Sequence, residues 1–211
     1  MDDFVVIHRS CDTEREPLIS RLQEAFPLLR VSEAADGEMF QTHPRRHPWE
    51  DTPTSSGNIG NTVSHMDLVL AAQNGTTDRL FVFEDDAVVV GEISGVLERI
   101  PEPWDLFYWG TNEIVEGTEE GEFVRVKRAW GVHAIVLRRS AMKAVLLAYI
   151  DSVAEGYGYP ADWVYNRAIK EGSLIAYASK TNLIVQQPGL VSVNTGKLRS
   201  QQNEVPQAGE V

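Results

Sequence analysis

Residues 81–90 read FVFEDDAVVV, an apolar run interrupted by Glu84, Asp85 and Asp86. Burying a carboxylate without a partner is costly, so three in succession need a reason. Side chains of a strand alternate between faces. If the backbone stays extended through residue 86, Glu84 and Asp86 share one face and Asp85 takes the other. In open α/β sheets the ligand crevice lies at the carboxyl ends of the strands. Carboxylates placed there offer hard oxygens to Mg²⁺ or Mn²⁺, which share octahedral sites with substrate phosphates. The plain alternative is an acidic turn in which one carboxylate caps backbone N–H groups and the others are solvated.

The elements that must position these residues can be read along the chain. It has 211 residues, 43% of them hydrophobic and 24% charged, enough for one sizeable core. The 19 basic and 31 acidic residues leave a net charge of −12, which disfavours nucleic acid as a general partner. Cys11 is the single cysteine, so no intramolecular disulfide forms, as suits a reducing cytosol. No leader-like start and no apolar run of membrane length is present, giving the expectation of a soluble, cytoplasmic protein without a transmembrane segment.

FVVI (4–7) reads as a buried strand, and DTEREPLISRLQEAF as an amphipathic helix with Thr13 and Glu16 spaced for a capping box. LLRVSEA (28–34) follows as a second strand, opening a βαβ unit. Residues 35–60 have no period and read as a long loop, with His43, Arg45, Arg46 and His47 as a local positive cluster. A helix over 61–73, strands at 78–85 and 104–110, and an acidic loop over 111–122 come next. Strands at 122–130 and 132–138, a helix capped by Ser140, a Gly/Tyr-rich loop, a helix from Ala161 and two short late strands complete the pattern. The expectation is a single α/β domain over residues 1–195. Its first half holds a parallel sheet and its second a mixed one, and a disordered polar tail spans 196–211.

Several of these segments together resemble glycosyltransferase family 25. FVVIHRSCDTER is similar to its opening strand and Arg-bearing turn, VSEAADGE to its second strand and Asp-Gly turn, and GNIGNTVSH (57–65) to its Gly-x-Ile-Gly…Ser-His segment. FVFEDDAVV resembles its strand ending in Glu-Asp-Asp, and WDLFYWG, AWGVHAIVLRRSAMKAVL and PADWVYNRAI resemble its later elements. The likeness covers roughly residues 4–190. His8 stands where the family usually has Asn, and Asn61 where Cys is common. The family contains bacterial lipooligosaccharide galactosyltransferases and collagen galactosyltransferases.

The resemblance implies a GT-A-like fold, a Rossmann-like nucleotide half joined to a mixed acceptor half. It also implies inverting transfer of a sugar, such as galactose or glucose, from a UDP-linked donor to a glycan or other hydroxyl acceptor, with Mn²⁺ or Mg²⁺. Asp86, helped by Glu84, is then the expected metal site. Asp85 contacts the ribose or a helix N-terminus. Arg9 or Arg15, flanking the first strand–helix turn, meets phosphate or base, with Arg15 alternatively a solvated first-turn residue. Ser64 and His65 lie by the donor, unless His65 is a structural histidine. Asp162 is the expected base, although an Asp in a first helical turn also serves orphan N–H groups. Trp104, Trp109 and His133 read as core, Trp163 as a weak acceptor-site candidate, and the role of Gln186 is open. Two other classes share such features: a metal-dependent nucleotidyltransferase, disfavoured by the absence of glycine in HRSCDTER, and a non-catalytic binding module of the same fold.

Overall fold

A computed structural model describes residues 1–47 and 53–190. Among them, one sheet has the strand order β2-β1-β3-β8-β5-β9-β7-β6. Its members are β1 (Asp2–His8), β2 (Arg30–Glu33), β3 (Arg79–Glu84), β5 (Leu106–Gly110), β6 (Glu113–Glu120), β7 (Phe123–Trp130), β8 (Ala134–Arg138) and β9 (Ala176–Ser179). β4 (Ala87–Val89) and β10 (Ile184–Gln186) form a separate antiparallel ribbon. The helices are α1 (Glu16–Ala25), α2 (Ser56–Asn74), α3 (Arg139–Ala154) and α4 (Ala161–Lys170).

β2, β1 and β3 are parallel, whereas β8 runs antiparallel to both β3 and β5. β5 and β9 are parallel, and β7 is antiparallel to β9 and β6. A parallel Rossmann-like half joined to a mixed half is the GT-A-like α/β arrangement. The expected tail, 196–211, lies outside the described residues.

Strand alternation divides the core into two layers. Val5, Ile7, Leu80, Val82, Leu106, Tyr108, Ile135 and Leu137 face α2, α3 and α4. Val6, Phe81, Phe83, Phe107, Trp109, Ala134 and Val136 face α1 and the segment carrying Val96, Ile100 and Trp104. A sheet covered on both sides requires apolar residues at consecutive positions, which is why LFVF and LFYW show no polar alternation. Trp104 and Trp109 are core, as the sequence indicates. His133 is also core, its Nε2 lying 3.2 Å from the Ile184 carbonyl.

Some boundaries differ from the sequence reading. The acidic stretch after Gly110 is a strand, β6, not a loop. Its register sets Glu116 opposite Arg128, and Lys127 lies 3.5 Å from Glu116. Pairing with a basic neighbour overrides the low strand propensity of glutamate, and charge suits an edge strand. Thr13 makes no capping box. A short 3₁₀ turn, Thr13–Arg15, leads into α1, and Pro17 occupies its first turn. Ser140 bonds Asp105 instead of capping α3, whose N-cap is Arg138.

α2 begins at Ser56, earlier than its apolar stripe suggests, because Ser55 caps it by accepting the Asn58 N–H at 3.2 Å. The basic segment 43–47 is strapped down and is not a solvated loop. His43 contacts Tyr149, Arg46 stacks 5.0 Å from the Tyr157 ring centre, and the Gly158 N–H donates to the Arg46 carbonyl.

One glycine contact fixes how α2 meets the strand ends. A Cβ on Gly60 would strike the Ala35 carbonyl and come within 2.9 Å of the Gly37 amide nitrogen. Both are backbone and cannot swing aside. Gly60→Ala is therefore expected to destabilise the fold by about 1–3 kcal/mol, although alanine favours helix by ~1 kcal/mol. Urea unfolding measures this, and a variant as stable as the parent would show that the contact yields.

Candidate functional site

The carboxyl ends of β1, β2 and β3 open into one cleft of roughly 270 Å³. Its walls include Arg9, Asp12 and Arg15 after β1, Ala35, Asp36, Gly37 and Glu38 after β2, Ser56, Gly57 and Asn61 at the start of α2, and Glu84 and Asp85 at the end of β3. The Gly37–Gly60 contact lets the Asp-Gly turn and the helix start approach closely enough to share this cleft. Ser56 and Gly57, in the first turn of α2, line it, so the positive dipole end of this helix borders the cleft, a favourable setting for an anion.

β3 ends at Glu84, and Asp85 and Asp86 lie in the turn before β4. The expectation that Glu84 and Asp86 share a face therefore fails, because the backbone does not stay extended. Asp86 is fully buried, and its Oδ2 lies 3.9 Å from the Arg15 guanidinium. Glu84 and Asp85 are the members of the triplet that line the cleft. Asp85 makes an ion pair with Arg15 and a 2.9 Å contact with His8 Nδ1. Glu84 accepts from Asn61 Nδ2 at 2.7 Å and from Gln186 Nε2 at 3.0 Å.

Arg15 is buried, not a solvated helix residue. Burial pulls its guanidinium pKa down, but the charges and hydrogen bond of Asp85, with Asp86 and Asp12, more than offset this and leave it raised. Arg9 is half-exposed at the cleft edge, in a two-pronged pair with Asp12 at 2.8 Å. An incoming anion can reach Arg9 by displacing Asp12. It reaches Arg15 only by competing with Asp85.

Ser64 and His65 stand behind the cleft wall. The Ser64 hydroxyl donates to the Gly60 carbonyl at 2.7 Å and accepts the Ala35 N–H at 2.8 Å, so it locks α2 to the Asp-Gly turn. His65 is fully buried, with Nδ1 3.4 Å from the Tyr165 hydroxyl of α4. Burial is the main cause that lowers its pKa to about 4, with Glu84 opposing.

Asp162, in the first turn of α4, accepts the Gly131 N–H at 3.2 Å through Oδ2. Its Oδ1 is buried without a hydrogen-bond partner. Burial raises its pKa to about 6 against the N–H groups of Gly131 and Trp163, and the charge of Glu84 raises it further. The fold thus places a carboxyl whose pKa burial raises to about 6 within electrostatic reach of Glu84.

Sequence reading missed the partners of the triplet. His8 and Asn61, the two departures from the family pattern, are the residues that contact Asp85 and Glu84. Gln186 arrives from β10, about a hundred positions away, and no local pattern announces it.

The fit of a divalent ion rests on Glu84 and Asp85. Both already accept N–H donors, and Arg15 matches the charge of Asp85. Among the described residues no group of three or more His, Cys, Asp or Glu could hold a metal ion. Two cleft carboxylates suit Mg²⁺ or Mn²⁺ only as part of a shell completed by water and substrate phosphates, the usual manner of Mg²⁺ binding.

The fold is a GT-A-like α/β domain with a cleft at its parallel strand ends. The particular likeness is to glycosyltransferase family 25. A cattle (Bos taurus) protein described as "Probable inactive glycosyltransferase 25 family member 3" is 26% identical over 129 residues, 53% of this chain. The chain spans about a fifth of that relative, 22% of its length. No protein-family model matches the chain. Among solved structures, A197 from STIV superposes with a TM-score of 0.51 at 15% identity, covering 99% of this chain and 98% of that one. That likeness shows a shared fold. Galactosyltransferase LgtC, in complex with donor and acceptor sugar analogs, gives a TM-score of 0.49 at 8% identity over 83% of this chain and 73% of its own. Among the described residues, no helix is long and apolar enough to cross a membrane.

Proposed function

We propose that this domain transfers a sugar from a nucleotide-linked donor, UDP-galactose or UDP-glucose, to a hydroxyl acceptor, with inversion at the anomeric carbon. The observation that supports this reading best is the pairing of a cleft at the parallel strand ends with a largely buried carboxyl, Asp162, that titrates at about 6 and feels the charge of Glu84. In this reading the donor diphosphate lies between the start of α2 and Arg9, and Asp36 or Glu38 meets the ribose. Glu84, held by Asn61 and Gln186, and Asp85 face the diphosphate. Mn²⁺ or Mg²⁺, when bound by Glu84 and Asp85 together with phosphate oxygens, supplies Lewis acidity toward the departing diphosphate. Asp162 takes the proton of the acceptor hydroxyl as that oxygen attacks the anomeric carbon in line.

A second reading is a non-catalytic sugar-nucleotide-binding module. It is favoured by the description of the cattle relative as probably inactive and by His8 and Asn61 at positions where the family differs. Thermal shift with UDP, with and without MnCl₂, tests the shared premise. A ligand at 100 times its Kd adds ~2.7 kcal/mol, so Tm should rise by several degrees. No stabilisation by UDP in either condition would count against both readings. Release of galactose or glucose from the UDP-sugar then separates enzyme from binder.

A further inference from the structure

We propose that Asp12 is a built-in competitor for the anion position of the cleft: it holds the Arg9 guanidinium until a diphosphate takes its place, and so sets how tightly the donor binds and how readily the nucleoside diphosphate leaves. This rests on the reading of the cleft as the seat of a nucleotide-linked sugar and adds the residue that tunes its affinity. Two arginines and five carboxylates line the cleft, so its wall carries an excess of negative charge. Each of the two guanidinium groups already serves an internal carboxylate. An entering anion must win one of them. The Arg15–Asp85 pair is closed to solvent, with side chains 6% and 9% exposed. The Arg9 side chain is 41% exposed and that of Asp12 13%. The guanidinium within reach of an anion is thus the one that Asp12 holds.

The pair has the geometry of a bound phosphate. Nε and Nη2 of Arg9 donate to the two oxygens of Asp12, each at 2.8 Å, the two-pronged fork that a guanidinium also offers a phosphoryl group. The charge of Asp12 acts on Arg15 as well, so one carboxylate serves both cations of the cleft. The fold has little other use for that charge. Backbone closes the turn after β1, with the Asp12 N–H donating to the Arg9 carbonyl at 2.9 Å and the Arg15 N–H to the Asp12 carbonyl at 3.0 Å. Asp12 stands at the N-cap of the 3₁₀ turn, yet its side chain caps no N–H. Its further hydrogen-bond contact is weak, the Cys11 thiol at 3.7 Å. An ion pair with a half-exposed member is lightly held, and a phosphoryl group brings more charge to the same fork than a carboxylate does. When the diphosphate departs, Asp12 closes on Arg9 again and replaces the lost hydrogen bonds.

Isothermal titration of the full chain with UDP, uridine and inorganic pyrophosphate, in MgCl₂ at fixed ionic strength, tests the exchange without requiring turnover. Asp12→Asn keeps the size of the side chain and the backbone turn and removes the charge. It is expected to bind UDP and pyrophosphate roughly tenfold more tightly than the parent, with uridine unchanged. Asp12→Ser should show the same gain. Adding Arg9→Gln to Asp12→Asn should remove most of it, because the competition runs through the guanidinium. Equal or weaker binding of UDP and pyrophosphate in both Asp12 variants would overturn the proposal and make Asp12 a brace that orients Arg9. A gain that survives in the double variant, or that extends to uridine, would also overturn it. Tighter pyrophosphate binding in Asp12→Asn, with no UDP binding by either protein, would sustain the exchange and count against the nucleotide reading. No binding of UDP or pyrophosphate to the parent or any variant would overturn both.

Discussion

Asp162→Asn is expected to reduce sugar transfer by at least about two orders of magnitude and, at pH 7, to make the protein more stable. The first effect follows from its proposed role as base, since an amide cannot take a proton. The second follows from its surroundings. Burial lifts the Asp162 carboxyl from its ordinary 3.8 to about 6, so its ionised form is disfavoured in the folded state at neutral pH. At 1.36 kcal/mol per pKa unit that displacement corresponds to ~3 kcal/mol. Residual solvent contact and the α4 dipole, which favours an anion, reduce the net gain to about 1–2 kcal/mol. Asparagine still accepts the Gly131 N–H through its carbonyl, so the α4–Gly131 contact survives. UDP stabilisation should be retained, because Asp162 is not among the residues that line the cleft. Differential scanning calorimetry at pH 7 and turnover of a UDP-sugar measure the two halves. An inactive variant with lowered stability would make Asp162 a structural cap; an active one would remove it from the chemistry. In the active parent, kcat/KM should rise with pH and level off above an apparent pKa of about 6.

Which parts of this site were legible in the sequence depends on whether local pattern or distant contact made them. The parallel half was legible because β1 and β3 are apolar runs between turn residues, and a sheet buried on both sides leaves that mark. Glu84–Asp85–Asp86 was legible as an anomaly in such a run. Which carboxylate faces the cleft was not, since that depends on where the strand ends, and the 85–86 turn reverses the alternation. β6 was hidden because EIVEGTEE has poor strand propensity and acquires its structure from the basic strand beside it. The acidic triplet is stabilised by His8, Arg15, Asn61 and Gln186, which come from four separate segments. Single-sequence periodicity does not encode such contacts. Asp162 was legible because Pro-x-Asp marks a helix start, but its depth beside Trp130 and Gly131 appears only in the assembled fold.

Asp162 and His65 should also impose opposite pH dependences on stability, and this can be measured without any substrate. His65 has its folded pKa depressed to about 4 by burial, against an ordinary 6.5. As pH falls from 6.5 to 4 the unfolded chain takes up a proton that the folded state refuses, so stability contributed by neutral His65 is lost, up to ~3 kcal/mol. Asp162 has its folded pKa raised, so between about 6 and 3.8 the folded state binds the proton first, and stability rises as pH falls. In the parent protein the two largely cancel across this window. Comparing each variant with the parent at every pH removes the titration of other groups. Relative to the parent, His65→Gln should gain stability as pH drops from 6.5 to 4, because the parent alone loses the histidine contribution. Asp162→Asn should show the reverse, starting more stable at pH 7 and losing that advantage by about pH 4. The double variant should differ from the parent by a nearly constant amount. Urea unfolding at half-unit pH intervals resolves slopes of this size. Flat differences for both single variants would mean that His65 and Asp162 titrate as solvated groups. The polar layer between α2 and α4, with His65 against Tyr165, would then be open to water instead of supporting a desolvated base.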